Sequence, residues 1–242
     1  MTTLSRFSIL GLLAITCLPA AYSISPFDLD SFYLEVPYPW EQFFLHPDSI
    51  HRLTDDDFRK VAEELGVETA AIKAVVEIEA GKTHQGFSAP LKPLVNFDLS
   101  MFRSFAARRG INLGKYTSQY PEVFRSGRRT QPEVFSRLET AMAIDSTLAV
   151  ESTFWGMFQI GGFNWKKCGV ESIDEFVTLM SRSERDQLEL FGKFITNTDL
   201  LKHLRSKNWA AFARGYNGPA YARRGYHTRL ANAYRRYKAE EK

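Results

Sequence analysis

Apolar residues recur at intervals of three and four along most of the chain after residue 53. This spacing places them on one face of a helix and is typical of amphipathic helices packed on a core. Gly, Pro and Asn residues interrupt the pattern at short intervals, where helices end and turns begin. Helices are predicted at residues 55–65, 68–80, 100–109, 132–150, 173–180, 184–195, 200–205, 209–214 and 226–237.

Local signals define the first of these helices and one short strand. Thr54 suits the N-cap position, and Gly66 is expected to end the helix. Residues 92–98 are the best candidate for an extended segment, and the chain has no internal repeat. The predicted fold is therefore mainly α with a small β element.

The N-terminal residues differ in character from the rest of the chain. Residues 1–23 carry one charge, Arg6, followed by an apolar run at 7–18 and then small residues. This layout is typical of a secretory signal peptide, and the run is too short to span a bilayer. An uncleaved anchor is the alternative. Residues 24–53 are rich in aromatic residues and proline, which predicts an irregular strap on a main domain at 54–242.

The composition is that of a folded protein. The 242 residues are 44% hydrophobic and 24% charged, which excludes a disordered or low-complexity chain. The net charge of +3 is too small to predict a nucleic-acid partner. Cleavage after residue 23 leaves Cys168 as the single thiol, which is expected to be a small apolar core residue. We therefore expect a periplasmic or secreted protein without an internal disulfide.

Basic residues concentrate in the C-terminal part of the chain. Residues 202–242 contain 11 Lys and Arg against Glu240 and Glu241. Such a concentration predicts an anionic partner, which for an exported protein is a cell-wall polymer, a polysaccharide or lipid headgroups. A solvated basic helix is the alternative.

A carboxylate occupies an apolar position of the second predicted helix. At 100° per residue, Glu79 falls in a stripe roughly 100° wide with three aliphatic residues, Ile72, Val75 and Val76. Glu77 is expected on the solvent side. Apolar neighbours and the negative end of the helix dipole both raise the pKa of a carboxyl group, which suits general-acid catalysis on a glycosidic bond. A structural glutamate paired with an arginine at the helix end is the alternative.

Two further segments combine glycine with aromatic and amide residues. WGMFQIGGFNW at 155–165 allows tight turns and could line a groove for a ring-shaped polar ligand. FARGYNGPAY at 212–221 is predicted as a helix end, with Asn217 or Gly218 as a left-handed cap before a proline. Tyr216 is either a hydroxyl donor at a cleft or a core aromatic residue.

In this order, these segments resemble the N-acetylmuramidase family of bacteria and phage endolysins, within the lysozyme-like superfamily. The family signature is approximately Val-Glu-Ser-Gly, Leu-Phe-Glu-Arg-His, Ser-Trp-Gly-x-Phe-Gln-Ile-x-Gly-Phe-Asn and Ala-x-x-Tyr-Asn-Gly-Pro-x-Tyr. This chain has IEAG at 78–81, NFDLS at 96–100, FWGMFQIGGFN at 154–164 and ARGYNGPAY at 213–221. The resemblance extends from about residue 54 to 237. It implies a lysozyme-like helical domain, without cofactor or metal, that cleaves the β-1,4 bond between N-acetylmuramic acid and N-acetylglucosamine of peptidoglycan.

The resemblance also implies roles for individual residues. Glu79 matches the catalytic acid. Asp98 stands at the second acidic position, where it positions or deprotonates water or stabilises the oxocarbenium-like state. The other matched residues are expected to bind substrate, with Phe158, Gln159 and Tyr216 lining the sugar cleft and Asn217 and Gly218 shaping its wall. The expected partner is the peptidoglycan glycan strand, with no nucleic acid and no membrane-spanning segment after signal cleavage. The sequence identifies no inhibitor or immunity protein.

The chain departs from the family pattern at the second acid. Asp98 is one methylene shorter than Glu, and Leu99 and Ser100 replace the Arg-His pair that follows it. Two alternatives to hydrolysis therefore stay open. One is a lytic transglycosylase that uses Glu79 alone, in which the substrate's 6-hydroxyl closes a 1,6-anhydro ring. The other is a non-catalytic peptidoglycan-binding protein.

Competing chemistries have weaker support in the sequence. Glu151, followed by Ser, resembles the Glu-Ser pair of lytic enzymes, but it lies five residues before Gly156 and too close to face that turn across a cleft. The five histidines have no metal-binding spacing, so a zinc amidase or peptidase is not expected. Cys168 has no obvious histidine partner for a cysteine peptidase.

Overall fold

The protein is described by a computed structural model that covers residues 52–81 and 85–241. The predicted signal peptide, residues 1–23, and nearly all of the predicted strap, residues 24–53, lie outside the described residues. Within the described ranges, no helix is long and apolar enough to cross a membrane.

Helices make up most of the described chain, as the hydrophobic pattern predicts. They are α1 Asp55–Leu65, α2 Thr69–Ala80, α3 Leu99–Arg108, α4 Pro121–Phe124, α5 Gln131–Ile144, α6 Ser146–Glu151, α7 Ile173–Arg182, α8 Glu184–Asn197, α9 Leu201–Arg205, α10 Trp209–Asn217 and α11 Tyr226–Glu240. Short 3₁₀ helices cover Leu113–Tyr116, Gly162–Cys168 and Pro219–Tyr221. The prediction of a mainly α fold with a small β element is confirmed.

Two small antiparallel sheets form the β element. β1 Phe87–Ala89 pairs with β2 Lys92–Pro93, and β3 Val95–Phe97 pairs with β4 Thr153–Trp155, which pairs with β5 Ile160–Gly161. Extended structure at 92–98 is confirmed. The strands at 153–161 were not predicted, since the glycine-containing motif there indicated only tight turns.

The ends of α1 follow from its sequence. The Thr54 side chain accepts a hydrogen bond from the Asp57 backbone N–H, and the Asp57 carboxylate accepts one from the Thr54 backbone in return. Gly66 ends the helix in the left-handed conformation, at φ 60° and ψ 43°. Both predicted caps are confirmed, because each depends only on residues within one helical turn.

The prediction of one helix at 132–150 was wrong, since the structure has two. Asp145 is extended, with φ −162° and ψ 110°, and separates α5 from α6. Its Oδ1 accepts a hydrogen bond of 2.7 Å from the Leu148 backbone N–H and so caps α6. The apolar pattern continues through the break and masks it, although Asp is one of the preferred N-cap residues.

Helix α2 lies at the centre of the fold. Its aliphatic stripe, Ile72, Val75 and Val76, is fully buried together with Ala70, Ala71 and Ala74. Helix α11 packs along α2, and the small alanine side chains allow close approach of the neighbouring helices. This burial fixes the position of the last turn of α2, where the candidate catalytic acid lies.

Candidate active site

Glu79 lies in the last turn of α2 with its side chain largely withdrawn from solvent. Burial raises the pKa of its carboxyl group from 4.5 to about 7, because the charged form loses hydration. The nearby Asn217 side chain and the positive charge of Arg229 oppose this rise without cancelling it. Glu79 can therefore carry a proton at neutral pH, as its place in the apolar stripe predicted.

The expectation that Glu77 faces solvent was wrong. Its side chain is only 11% exposed and forms an ion pair with Arg236 and a hydrogen bond of 2.8 Å from the Tyr237 hydroxyl. Both partners lie on α11. The helical wheel places Glu77 correctly away from the stripe, but it cannot indicate that a second helix covers that face.

Tyr216, in the last turn of α10, lies beside Glu79. Burial raises the pKa of the Tyr216 hydroxyl well above 10, and the negative charge of Glu79 adds to the rise. The hydroxyl donates a hydrogen bond of 2.5 Å to the backbone carbonyl of Phe158. Its ring packs against three aromatic side chains, Phe191, Phe194 and Phe212. This hydrogen bond thus connects the end of α10, which lies beside Glu79, to the segment 155–165, the glycine motif.

The Asn217 side chain lies close to the Glu79 carboxyl. Its amide interacts with that carboxyl and lowers the Glu79 pKa. The interaction is weak, because within the described residues the buried Nδ2 of Asn217 reaches no acceptor in normal hydrogen-bond geometry. A buried amide donor without a full partner costs about 1–3 kcal/mol. The Nδ2 group of Asn217 can therefore donate a further hydrogen bond next to the Glu79 carboxyl.

Gly218 does not form the left-handed cap that the sequence predicted. Its φ of 75° and ψ of −174° lie in an extended region of positive φ that is essentially confined to glycine. Gly81, which ends α2 two residues after Glu79, has almost the same conformation, with φ 78° and ψ −179°. The helix ends that carry Glu79 and Asn217 are thus terminated in the same way.

Phe158 does not present its ring to a cleft. The side chain is fully buried and stacks on Phe191, with ring centroids 4.3 Å apart. Its ring belongs to the core, so the expectation that it lines the sugar cleft is not met. Its contribution to this region is the carbonyl that accepts from Tyr216.

Gln159 is partly exposed and has a positive φ of 47°, which is uncommon for a residue with a side chain. Its Nε2 donates a hydrogen bond of 2.9 Å to the Gly156 carbonyl, and its backbone N–H donates to the same oxygen. These two bonds hold the turn between β4 and β5. Backbone strain that the surroundings enforce is common at functional sites.

Asp98 lies at the N-terminus of α3, directly after β3. Its Oδ1 accepts a hydrogen bond of 2.9 Å from the Met101 backbone N–H, so it is the N-cap of this helix. Within residues 52–81 and 85–241, no hydrogen bond or ion pair connects Asp98 to Glu79, Tyr216 or Asn217. The structure brings Glu79, Tyr216 and Asn217 together and uses Oδ1 of Asp98 as a helix cap.

The competing residues have other partners. Glu151 forms an ion pair with Arg109 at the end of α6, which neutralises its charge. Cys168 is fully buried, and burial raises the pKa of its thiol to about 12, so it is a core residue and not a nucleophile. In the part of the chain that the structure describes, no group of three His, Cys, Asp or Glu side chains could hold a metal ion.

Gln187 on α8 is a buried residue near the site that was not predicted. Its Oε1 accepts a hydrogen bond of 2.8 Å from the Met157 N–H, and its Nε2 donates at 2.8 Å to the Met180 carbonyl and at 3.4 Å to the Gly86 carbonyl. A Cβ on Gly156 would lie 2.7 Å from this side chain. In the sequence, Gln187 is an amide on the helical face that carries Leu188, Phe191 and Ile195.

Glu184, one turn earlier on α8, supports the same region. It is 1% exposed and accepts hydrogen bonds of 2.9 Å from the backbone N–H groups of Gly86 and Leu53. Together, Gln187 and Glu184 join the segment after α2 to the glycine motif. The position of this segment relative to Glu79 thus depends on two buried polar side chains from α8.

The raised pKa of Glu79 predicts a pH-dependent stability. Between pH 4.5 and about 7, the folded protein keeps a proton that the unfolded chain has released, so the free energy of unfolding falls as pH rises through this window. Glu79→Gln removes this titration. We expect the variant to gain stability relative to the native protein, by about 3 kcal/mol in total, from pH 4.5 to pH 8.

Urea unfolding of both proteins across this pH range measures the effect. Glu240→Gln, at an exposed position on α11, controls for the loss of one carboxylate. A stability difference between native protein and Glu79→Gln that stays constant with pH would contradict the raised pKa.

Known proteins resemble this chain over most of its length. The family described as Muramidase, N-acetylmuramidase, matches residues 68–238. The crystal structure of the Burkholderia AP3 phage endolysin has 34% sequence identity and a TM-score of 0.68 to this chain, over 85% of this chain and 78% of that one. No curated protein matches the chain. The mainly α, lysozyme-like fold expected from the sequence motifs is confirmed by this structural similarity.

Proposed function

Because the chain belongs to the N-acetylmuramidase family, we propose that it cleaves the β-1,4 bond between N-acetylmuramic acid and N-acetylglucosamine, with Glu79 as the general acid. It is a glycoside hydrolase of the lysozyme type, and its family acts on peptidoglycan. Family membership favours an enzyme over the alternative of a non-catalytic binding protein. The bond that is cleaved and the residues that cleave it are the substance of the proposal.

The single observation that carries the proposal is the environment of Glu79. A general acid must hold its proton at the working pH and release it to the leaving group, which requires a pKa close to that pH. Burial raises the pKa of Glu79 to about 7, and the Asn217 amide next to it can donate a hydrogen bond to the carboxylate that forms. Carboxyl groups in such surroundings are typical catalytic acids of glycosidases.

In the proposed reaction, the protonated Glu79 donates its proton to the glycosidic oxygen while the bond from that oxygen to the muramic acid C1 breaks. The sugar ring passes through an oxocarbenium-like state. Water then attacks C1, and its proton passes to the carboxylate of Asp98, the second acid that the family resemblance implies. Tyr216 stays protonated throughout, because burial and the Glu79 charge raise its pKa, and its bond to the Phe158 carbonyl fixes the position of α10.

The second candidate reaction is lytic transglycosylation. It is favoured by one observation, the use of Asp98 Oδ1 as the N-cap of α3. Without a second carboxylate at C1, the 6-hydroxyl of muramic acid attacks C1 instead of water. Its proton returns to the Glu79 carboxylate, and a 1,6-anhydro ring closes.

Mass spectrometry of the products released from purified peptidoglycan tests the proposal. Hydrolysis yields muropeptides with a reducing-end muramic acid, and transglycosylation yields anhydro-muramic acid ends of lower mass by one water. Reducing ends on N-acetylglucosamine would overturn the assignment of the bond. An absence of soluble products from the folded native protein would overturn the activity.

Asp98→Asn separates catalysis from helix capping. Asn caps helices about as well as Asp, so we expect the free energy of unfolding to change by less than about 0.5 kcal/mol. Loss of the carboxylate should lower the hydrolysis rate about 100-fold, in the range of a missing acid–base group. Product release by the two proteins under identical conditions measures the effect.

Asp98→Ala is the matched control, because it removes the cap as well and should cost about 1 kcal/mol of stability. Full activity of Asp98→Asn would show that Asp98 is a cap only. The reaction would then depend on Glu79 without a second carboxylate from this position.

The site of action follows from the N-terminal sequence. The charge, apolar run and small residues of positions 1–23 support export by a signal peptide. Peptidoglycan lies outside the cytoplasmic membrane, so an exported enzyme reaches its substrate. We therefore propose a periplasmic or secreted protein, to be tested by N-terminal sequencing of the mature form.

A further inference from the structure

Some basic residues of the C-terminal region form ion pairs with acidic residues of the protein, and others do not. Lys207 and Lys238 pair with Glu68 at 2.5 and 2.9 Å and, through their hydrogen bonds, lower the pKa of that carboxyl to about 2. Arg236 pairs with Glu77. Much of the positive charge on the α11 side that faces α2 is therefore already neutralised and is not available to an anionic partner.

Three arginines without an ion pair in the described part of the protein lie close together in the chain, around the start of α11. This arginine segment, residues 223–229, contains Arg223, Arg224 and Arg229, all of them exposed. Among the described residues, none of these guanidinium groups forms an ion pair or a hydrogen bond; Arg229 only lies over the Tyr226 ring, 5.6 Å from its centroid. The sequence carries no acidic residue from 200 to 239.

A groove connects this segment to the end of the catalytic helix. It has a volume of about 330 Å³ and is lined by Ile78, Gly81, Arg229, Asn232 and other residues of α2 and α11. Gly81 follows Glu79 by two positions, and the charge of Arg229 reaches the Glu79 carboxyl. Arg229 therefore lines this groove and also acts on the Glu79 carboxyl, so it can contact a group that branches from a substrate bound at Glu79.

We propose that the arginine segment and this groove bind the carboxylates of the peptide stems that branch from peptidoglycan glycan strands. This proposal rests on the proposed function. Guanidinium groups bind carboxylates through paired hydrogen bonds. The peptide stem leaves the glycan strand at the muramic acid, next to the bond that Glu79 is proposed to cleave. A groove with Arg229 on its wall, close enough for that charge to act on Glu79, suits such a branch better than a flat anionic membrane.

The double variant Arg223→Gln/Arg224→Gln tests the proposal with two substrates, intact peptidoglycan and the same glycan strands after amidase removal of the peptides. Exposed pairs of this type contribute up to about 1 kcal/mol each. We expect kcat/KM to fall about tenfold on intact peptidoglycan, mainly through KM, and less than about twofold on stripped strands. The loss should shrink at high salt.

Lys202→Gln is the matched control, since Lys202 is an exposed basic residue on α9 that does not line the groove. We expect it to leave kcat/KM on both substrates unchanged. Equal losses by the double variant on both substrates would overturn the proposal and indicate general attraction to the strand. Unchanged kinetics on intact peptidoglycan would overturn it as well.

Sedimentation with insoluble cell walls distinguishes failure of this proposal from failure of the proposed function, because it does not require turnover. The native protein should bind intact walls more tightly than stripped walls, and the double variant should lose that difference. Equal binding of the native protein to both walls would overturn the proposal. Binding of the arginine segment to vesicles of anionic lipid, without preference for intact walls, would instead assign it to a membrane surface.

Discussion

Glu79→Gln is expected to lower the rate of glycan cleavage about 1,000-fold, the middle of the range for loss of a general acid. Gln has the shape of the protonated acid but no proton to donate. The fold should persist, because the substitution replaces a group that is costly to ionise in this buried position. In the native enzyme, activity should fall as pH rises above about 7, where Glu79 loses its proton.

Turbidity loss of purified cell walls, followed across pH for both proteins, measures this prediction. Glu77→Gln is the matched control on the same helix. Its amide can still accept the hydrogen bonds of Arg236 and Tyr237, so activity should stay within about twofold of native. More than a tenth of native activity in folded Glu79→Gln would show that Glu79 is not the acid, and Glu151 would be the next residue to test.

Gln187→Leu is expected to produce the largest loss of stability. The change leaves the Met157 N–H and the Met180 carbonyl buried without their hydrogen bonds to this side chain. Each such group costs about 1–3 kcal/mol, so the total is about 3–5 kcal/mol. For a protein of this size, that corresponds to a fall in Tm of roughly 10 °C. Because Gln187 joins the glycine motif to Gly86, activity should fall as well.

Differential scanning calorimetry measures the change in Tm, and the cell-wall assay well below Tm measures the loss of activity. Gln119→Leu is the matched control, since Gln119 is exposed and bonds only to the Tyr120 hydroxyl within the described residues. Its effect should stay within about 0.5 kcal/mol. A Tm for Gln187→Leu within two degrees of native would mean that the buried amide is replaceable and that α8 does not fix the site.

Features set by one helical turn were predictable from the sequence. Thr54 and Gly66 define the ends of α1 through bonds to residues at most four positions away. The place of Glu79 among Ile72, Val75 and Val76 follows from the helical repeat, and its raised pKa follows from that place. The motif around Tyr216 and Asn217 indicated a helix end beside a cleft, and the structure places both residues next to Glu79.

Features that depend on contacts between distant segments were not predictable. Glu77 is covered by α11, which lies about 160 residues further along the chain. Phe158 is a core residue because α8 supplies the ring of Phe191 that stacks on it. The break at Asp145 is a local feature and escaped prediction for a different reason, because the apolar pattern runs through it.

The sequence by itself determined the helical fold, the family and the place of the Glu79 carboxyl among apolar residues at the end of α2. Only the tertiary structure decided that Gln187 holds the glycine motif, and that Arg236 and Lys238 are paired with acidic residues while, within the described residues, the arginine segment is not. The physical reason is the separation along the chain of the residues that each interaction joins. Helical periodicity and capping act within a few residues and are encoded locally, whereas burial, ion pairing and hydrogen bonding at the site join segments that only the folded chain brings together.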